Sequence, residues 1–180
     1  MKSLTLLRHA KSSWDDPVAR DFDRPLNPRG RRAARTVGKR MCADELAFDK
    51  VIASPARRVI ETLEDVAQIC RLSAPVYDQR IYLASAETLL EIVRETDDAV
   101  ESLLLVGHNP GLENLALLLT RPGGDGLRAE LELKYPTGTL AEIRFEGKSW
   151  ADVEEEAGQL VRFIRPRDLD PELGPDEDSF

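Results

Sequence analysis

Short apolar runs alternate along the chain with longer segments in which apolar residues recur at helical spacing. The short runs, too brief for helices, predict a buried strand at 4–7 and further strands at 49–53, 75–77 and 102–106. Helical spacing predicts helices at about 28–41, 56–71, 86–95 and 110–119. Strands that alternate with helices are typical of parallel sheets. We therefore expect an α/β fold.

Strict two-residue alternation replaces this pattern late in the chain. The segments 131–133 and 139–145 alternate apolar and polar residues, and 159–164 follows as a last strand. Alternation of this kind predicts antiparallel strands at the edge of a sheet. The whole pattern predicts a single three-layer α/β/α domain over 1–165, with a mostly parallel central sheet and an antiparallel edge.

Helix start signals support these boundaries. Asn or Ser is a favoured N-cap, and proline suits the first helical position. Three such pairs precede predicted helices: Asn27-Pro28, Ser54-Pro55 and Asn109-Pro110. Ser85 is the expected cap of the helix at 86–95.

Charge is distributed unevenly. Residues 168–180 hold six acids and no base, so most of the formal net charge of −8 belongs to this end. We expect 166–180 to be an acidic, disordered tail, because it has almost no apolar content. A cluster of basic residues in the predicted first helix is either a solvated face or an aid to an anionic substrate: Arg29, Arg31, Arg32 and Arg35.

Composition argues against several classes of protein. No basic surface suggests a nucleic-acid partner, and no apolar run has the length of a membrane span. The first strand begins at once, which leaves no room for a signal peptide. Cys42 and Cys70 lack metal-type spacing and are expected to be buried thiols of a reducing compartment. We therefore expect a cytoplasmic protein with no membrane contact.

Polar residues that follow the predicted strands form the candidate site. Arg8 and His9 end the first strand, Arg57 and Arg58 follow the second, and His108 follows the strand at 102–106. The carboxyl edge of an open α/β sheet is where ligands bind. Arginines and helix N-termini bind phosphate oxygens, and a histidine beside them can accept a phosphoryl group.

Two other interpretations remain open at this point. A histidine at a strand end is often only a hydrogen-bonded structural residue. Two histidines could also bind a metal, but no third ligand stands at a strand end, and no Walker-type loop or carboxylate pair indicates a metal-dependent route. We expect no metal or other cofactor.

Three motifs in this order and spacing resemble those of the histidine phosphatase superfamily. They are Leu7-Arg8-His9-Ala10, the segment 54–62 with Ser54, Arg58 and Thr62, and Val106-Gly107-His108-Asn109-Pro110. The stretch from Arg8 through 11–14 to Arg24-Pro25-Leu26 is similar to the SixA-type phosphohistidine phosphatase branch. The resemblance spans about residues 4–163 and implies a phosphoglycerate-mutase-like fold.

The resemblance also implies roles for individual residues. His9 matches the nucleophile that becomes phosphorylated, and His108 matches the second histidine that holds the phosphoryl oxygens. Arg8 matches the first phosphate-binding arginine, while Arg58 rather than Arg57 fits the second. Further candidates for substrate binding are Ser12, Arg57 and Asn109.

Two departures from the family pattern bear on the substrate. Ala10 stands where the common signature has glycine, as in the SixA-type branch. Members that cleave phosphate esters carry a carboxylic acid near the position of Ala84, and Glu87 or Asp16 are the possible replacements for that general acid. An ester oxygen needs protonation as it leaves, whereas the imidazole of phosphohistidine needs it much less. The missing acid favours a phosphoramidate.

The expected function is therefore metal-independent hydrolysis of phosphohistidine on a protein, through a phospho-His9 intermediate. The partner would be a phosphohistidine-containing protein, such as a phosphorelay or phosphocarrier domain. One alternative is a phosphatase or mutase that acts on a small phosphate ester. A second alternative is a module that binds phosphorylated ligands without turnover.

Overall fold

The computed structural model describes residues 1–17, 20–123 and 126–174. Six strands lie in these residues: β1 (Lys2–Arg8), β2 (Lys50–Ala53), β3 (Val76–Tyr77), β4 (Ser102–Gly107), β5 (Leu140–Phe145) and β6 (Gln159–Ile164). They form one sheet in the order β3-β2-β4-β1-β5-β6. The first four strands in this order pair in parallel. β5 pairs antiparallel with β1, and β6 pairs antiparallel with β5. The mostly parallel sheet with an antiparallel edge is confirmed.

The connections between strands are mainly helical. The helices are α1 (Pro28–Ala43), α2 (Arg57–Ile69), α3 (Ala86–Arg94), α4 (Gly111–Leu119), α5 (Leu127–Leu133) and α6 (Pro166–Leu169). Short 3-10 turns lie at Asp21–Asp23, Gln79–Ile81, Trp150–Asp152 and Pro171–Leu173.

Helices cover both faces of the sheet. Along β4, Leu103 and Leu105 belong to an apolar cluster with α3 and α4, whereas Leu104 and Val106 belong to a second cluster with α1 and α2. Successive strand residues point to opposite faces, so an unbroken apolar run fits a strand that is buried on both sides. This arrangement is the predicted three-layer α/β/α domain.

One predicted strand is wrong. Residues 131–133 form the end of α5 rather than a strand. Leu127 and Leu131 stand four residues apart on that helix, and Leu131 is fully buried while Leu133 is exposed. Three alternating residues were too few to distinguish a strand from the end of a helix.

The cap predictions hold for two helices and need correction for two. Asn27 Oδ1 accepts a hydrogen bond from Gly30 N at 2.7 Å, and Ser85 Oγ accepts one from Thr88 N at 3.2 Å. The helix after Ser54 begins only at Arg57. The helix after Asn109 likewise begins two residues later, at Gly111. Ser54 bonds to His108 in the candidate site, whereas Asn109 bonds both there and to Glu113 N in the first turn of α4.

The expected disorder of the tail is wrong for residues 166–174. Pro166–Leu169 forms α6, Pro171–Leu173 forms a 3-10 turn, and Pro166 and Leu173 are buried. These apolar residues pack the segment onto the domain, with α6 against α1. Residues 175–180, which hold three of the six acids, lie outside the described part of the chain.

Arginines of α1 bind acidic residues from two neighbouring segments. Arg32 Nη2 lies 2.6 Å from Asp170 Oδ2 in the tail, and Arg31 Nη1 lies 3.3 Å from Asp65 Oδ2 on α2. The two interpretations of this basic cluster both miss these pairs. Its charge binds α1 to α2 and to the C-terminal segment.

The two thiols differ in exposure. Cys70 is buried, as predicted, but Cys42 is exposed at the end of α1, so the expectation of two buried thiols is wrong for Cys42. Both are free. In the described ranges, no helix has the length and apolar content that crossing a bilayer requires.

Candidate active site

Neighbouring strand ends bring the chain's two histidines together. β1 and β4 pair with Arg8 opposite Gly107, so His9 and His108 follow side by side at the carboxyl edge of the sheet. Their ring centroids are 5.3 Å apart, and both side chains are buried. Strand register therefore places the two histidines side by side.

His9 is held in one tautomer by the backbone carbonyl of the next residue, Ala10. Its Nδ1 lies 2.7 Å from the carbonyl oxygen of Ala10. A carbonyl oxygen can only accept, so Nδ1 donates and carries the proton. Nε2 then keeps its lone pair, and Arg58 Nε donates to it at 3.4 Å. Nε2, the nitrogen that can attack an electrophile, therefore faces the Arg58 guanidinium. This cation would bind an electrophile that is anionic.

His108 is held by Ser54, a residue of the motif at 54–62. Its Nε2 lies 2.8 Å from Ser54 Oγ, which also accepts a hydrogen bond from Ala56 N at 3.2 Å. This arrangement favours a proton on Nδ1 of His108. That Nδ1 is buried and has no hydrogen-bond partner among the described residues. With the proton on Nδ1, this nitrogen is a donor that a ligand oxygen can use.

Arg8 and Asn109 are anchored to the same carbonyl oxygen. Arg8 Nη1 and Asn109 Nδ2 donate to Tyr135 O at 3.0 and 2.9 Å. Asn109 Oδ1 in turn accepts from Glu113 N at 3.2 Å in the first turn of α4. Asn109 thus lies at the site, but its amide group is engaged with the protein.

The motif at 54–62 contacts the residues that follow β1 and β4. Thr62 Oγ1 accepts from Ala10 N at 2.9 Å and donates to Arg58 O at 2.7 Å. Ala10 is completely buried, so any larger residue at this position would displace its neighbours. Ser54, Arg58 and Thr62 therefore contact His108, His9 and Ala10, respectively.

The long loop after His9 contributes a third arginine. Arg24 Nη1 donates to Ser12 Oγ at 2.6 Å, and the guanidinium stacks on Trp14, 3.4 Å from the ring centroid. Arg24 is buried although Trp14 is exposed. The structure thus places Ser12 in this loop, with its hydroxyl oxygen bound to Arg24.

The same loop brings a carboxylate that we missed from the sequence. Asp21 Oδ2 accepts from Tyr82 Oη at 2.6 Å and from Arg58 Nη2 at 3.0 Å. Asp21 Oδ1 accepts from Arg24 Nε at 3.1 Å. The Tyr82 ring packs edge-on against His108, with 5.4 Å between the ring centroids. The only available sequence signal was the unusual length and mixed charge of the loop.

Three of the predicted residues have other surroundings. Arg57 Nε bonds to Glu61 Oε2 at 3.0 Å, and its side chain is mostly exposed. Glu87 is exposed in the first turn of α3, where it lines a cavity of about 450 Å³ together with Leu83. Asp16 is exposed in the loop after β1. No hydrogen bond or ion pair within the described residues joins Arg57 or Glu87 to either histidine.

Burial and positive charge keep both histidines neutral. Desolvation, followed by the neighbouring His108, Arg8 and Arg58, holds the pKa of His9 well below its usual value. Desolvation and the charge of Arg58 lower the pKa of His108 to about 3. Partial burial favours protonation of Asp21, but hydrogen bonds from Tyr82 and Arg58 outweigh it and lower the pKa of that carboxyl.

The residues at the site suit an anion better than a metal cation. Three buried guanidinium groups, from Arg8, Arg24 and Arg58, surround the histidines and would repel a cation. Over residues 1–17, 20–123 and 126–174, no three His, Cys, Asp or Glu side chains form a metal-binding group. The Asp21 carboxylate is bound by two of the arginines instead.

Known proteins share this sequence pattern and fold. The family model described as histidine phosphatase superfamily (branch 1) matches residues 4–81. The uncharacterized protein Rv1276c of Mycobacterium tuberculosis is 40% identical over 164 residues, which cover 89% of this chain and 100% of that protein. The Arabidopsis thaliana protein At3g52155, described as chloroplastic, is 32% identical over 84% of this chain and 70% of its own length.

Solved structures extend the comparison. A candidate phosphohistidine phosphatase SixA from Agrobacterium tumefaciens is 31% identical, with a TM-score of 0.76 over 92% of this chain and 98% of its own. A candidate SixA from Nakamurella multipartitia gives a TM-score of 0.78 at 28% identity, over 92% of this chain and 96% of that chain. The shared fold is the phosphoglycerate-mutase-like one.

The chain belongs to the histidine phosphatase superfamily, in its SixA-type branch. The family and the fold together identify it as a phosphatase.

Proposed function

We propose that this protein is a metal-independent phosphatase that hydrolyses phosphohistidine on other proteins through a phospho-His9 intermediate. The observation that carries the proposal is the state of His9. Its Nδ1 proton is held by the Ala10 carbonyl, so a neutral Nε2 is directed at the guanidinium of Arg58. A neutral, oriented imidazole beside anion-binding donors is what phosphoryl transfer to histidine requires.

In the first step, the phosphoryl group would bind to Arg8 and Arg58, with the unpartnered Nδ1 of His108 donating to one of its oxygens. The lone pair on Nε2 of His9 forms the new bond to phosphorus. The phosphorus–nitrogen bond of a substrate that is protonated on its other ring nitrogen breaks, and its electron pair returns to that ring, which leaves as neutral imidazole. The guanidinium groups stabilise the charge on the phosphoryl oxygens during transfer.

In the second step, water attacks the phosphorus atom of phospho-His9. The bond from phosphorus to Nε2 breaks, its electron pair returns to the imidazole, and inorganic phosphate leaves. The Nδ1 hydrogen bond to Ala10 keeps the ring in place through both steps, so the same tautomer is regenerated.

The surroundings of the carboxyl groups favour an imidazole leaving group over an ester oxygen. Glu87 is exposed on α3 and has no hydrogen bond to either histidine within the described residues. Asp21 does lie at the site, but its bonds to Arg58 and Tyr82 favour the ionised form. An ionised carboxylate cannot donate the proton that an alkoxide requires, whereas phosphohistidine can carry the needed proton on its own second ring nitrogen.

Exposed apolar side chains at the rim support a protein substrate. Trp14 lies on Arg24 with 58% of its surface exposed, and Leu83 follows Tyr82 with 57% exposed. The cavity beside Leu83 is also lined by Pro110, two residues after His108. We propose that these exposed apolar groups beside the site contact the substrate protein.

The proposed partner is a phosphorelay or phosphocarrier domain that carries phosphohistidine, and the proposed site of action is the cytoplasm. Two free thiols suit a reducing compartment. The Agrobacterium tumefaciens relative, named as a candidate phosphohistidine phosphatase, supports the same substrate class.

A comparison of two substrates tests this proposal. Phosphate release should be measured from a phosphohistidine-bearing phosphocarrier protein and from an alkyl phosphate, with His9→Ala as the inactive control. We expect kcat/KM to be about a hundredfold or more higher for the phosphohistidine protein, since only the ester lacks a needed proton donor. Comparable turnover of the two would contradict the proposal. Tight phosphate binding without turnover of any phosphodonor would instead indicate a binding module.

A further inference from the structure

The Asp21 carboxylate binds the same guanidinium group that the phosphoryl group needs. Arg58 Nη2 donates to Asp21 Oδ2 at 3.0 Å, and Arg58 Nη1 donates to Asp21 O at 2.7 Å. Only the Nε of Arg58 is directed at His9. Both terminal nitrogens of this buried arginine are thus engaged by a single residue of the loop after β1.

A carboxylate and a phosphoryl group present the same kind of acceptor to a guanidinium. Each offers anionic oxygens that arginine binds in a fork. A second cation, Arg24, donates to the other oxygen of Asp21 at 3.1 Å. Asp21 therefore bridges two arginines, an arrangement that a phosphoryl dianion could also adopt.

The charges at the site support this view. Arg8, Arg24 and Arg58 are cationic, and the two histidines are neutral because burial and these arginines lower their pKa values. Among the described residues, Asp21 is the only one with a negatively charged side chain that contacts Arg58 or Arg24. It offsets one of three positive charges, so it weakens the field that attracts an incoming anion.

We propose that Asp21 is a specificity-determining competitor for the phosphoryl group, which weakens binding of inorganic phosphate and of small phosphorylated compounds. A small phosphate must displace or share the carboxylate with few contacts of its own. A phosphohistidine protein can offset this cost through additional contacts at the rim near Trp14 and Leu83. The inference rests on the proposed use of Arg58 as a phosphate ligand.

The same competition helps the product to leave. Inorganic phosphate would otherwise remain among three buried arginines, and its release would become slow. Return of the carboxylate to Arg58 replaces the bonds that phosphate gives up. Asp21 therefore acts before the reaction, on substrate choice, and after it, on product release.

Asp21→Asn is the variant that tests this role, because it keeps the size of the side chain and removes its charge. The matched control is Asp23→Asn in the same 3-10 turn. Asp23 pairs at 2.8 Å with Arg20, whose side chain is 78% exposed. Phosphate and vanadate affinities should be measured by calorimetry for wild type and both variants. Thermal melts with and without phosphate verify that each variant folds.

We expect Asp21→Asn to bind phosphate and vanadate about tenfold more tightly than wild type. With phosphoramidate as a small phosphodonor, its KM should fall by a similar factor while kcat falls through slower phosphate release. Asp23→Asn should match wild type in all of these measurements. A residue with a merely structural role would instead raise KM and leave phosphate binding unchanged or weaker.

Different results would overturn the role of Asp21 and the phosphoryl site. Equal or weaker phosphate binding by Asp21→Asn, with normal binding by wild type, would overturn the role of Asp21 and leave the phosphoryl site intact. Absence of phosphate and vanadate binding in wild type and in folded Asp21→Asn alike would overturn both the Asp21 proposal and the phosphoryl site. Tighter binding by Asp21→Asn alone supports both.

Discussion

The two halves of the site are built by different means. In the half at the strand ends, β1 and β4 fix His9 and His108 by register, and backbone groups hold the first histidine. In the half formed by the loop, side chains hold one another: Arg24 binds Asp21 and stacks on Trp14. We expect the first half, which the backbone places, to be the rigid half. We expect the second half, which side chains place, to be the adjustable half that serves the choice and release of ligands.

The largest expected effect is the difference in kcat/KM between alanine variants of two adjacent arginines. Arg58→Ala should lower kcat/KM by about 10²–10³-fold, because one charge-assisted donor to the transferring phosphoryl group is lost. Arg57→Ala should stay within about twofold of wild type, since Arg57 is exposed and pairs with Glu61. Steady-state assays with a phosphohistidine protein measure both variants. Equal losses would show that the first turn of α2 contributes only overall positive charge.

A pH effect on stability should also arise from the rigid half, which contains the only two histidines of the chain. Their pKa values are depressed in the folded protein, so the unfolded chain binds more protons below about pH 6.5. The contribution of the histidines to the free energy of unfolding is therefore fully present above this pH. It falls as the pH drops toward the pKa values of the folded protein. Between pH 7 and pH 5 we expect a loss of about 2–4 kcal/mol.

Urea unfolding at the two pH values measures this loss. The double variant His9→Gln/His108→Gln is the control, and its stability should change much less over the same range. A wild-type stability that stays constant from pH 7 to pH 5 would show that the buried histidines can be protonated without cost.

Thr62→Val tests how the backbone after β1 is fixed. The substitution preserves shape but leaves the buried N–H of Ala10 without its acceptor. We expect a loss of about 1–3 kcal/mol in the free energy of unfolding, together with reduced kcat. Thr36→Val is a suitable control, because Thr36 is only half-buried on α1 and its hydroxyl donates to Arg32 O in the preceding turn. Unchanged stability of Thr62→Val would mean that water replaces the hydroxyl.

The smallest effect is expected in the adjustable half. Trp14→Ala removes an exposed ring from Arg24, so unfolding should change by less than about 1 kcal/mol. Turnover of a phosphohistidine protein should fall about threefold to tenfold, while turnover of phosphoramidate should change less. A uniform loss on both substrates would show that Trp14 supports the arginine rather than the partner protein.

The same division explains what the sequence could predict. His9 and His108 could be placed because each follows an apolar strand, and parallel strands end at one edge. Arg58 was separated from Arg57 by the motif spacing alone, and the structure shows the difference as a bond to His9 and a bond to Glu61.

The loop residues could not be placed in this way. Asp21 and Arg24 belong to a segment without periodicity, so their positions depend on contacts distant in sequence, such as Tyr82 to Asp21. Glu87 was considered as the acid because of its proximity in sequence to Ala84, yet the turn of α3 leaves it exposed. The ordered C-terminal segment was missed because its acids meet α1 arginines more than one hundred residues away.

The central claim is that His9 itself carries the phosphoryl group between substrate and water. Wild type, His9→Ala and His108→Ala should be mixed with phosphoramidate, quenched in base within the first turnover, digested and analysed by mass spectrometry. We expect a base-stable, acid-labile phosphoryl group on His9 in wild type and none in His9→Ala. Phosphate release by wild type without any labelled His9, or a label on His108 instead, would contradict it.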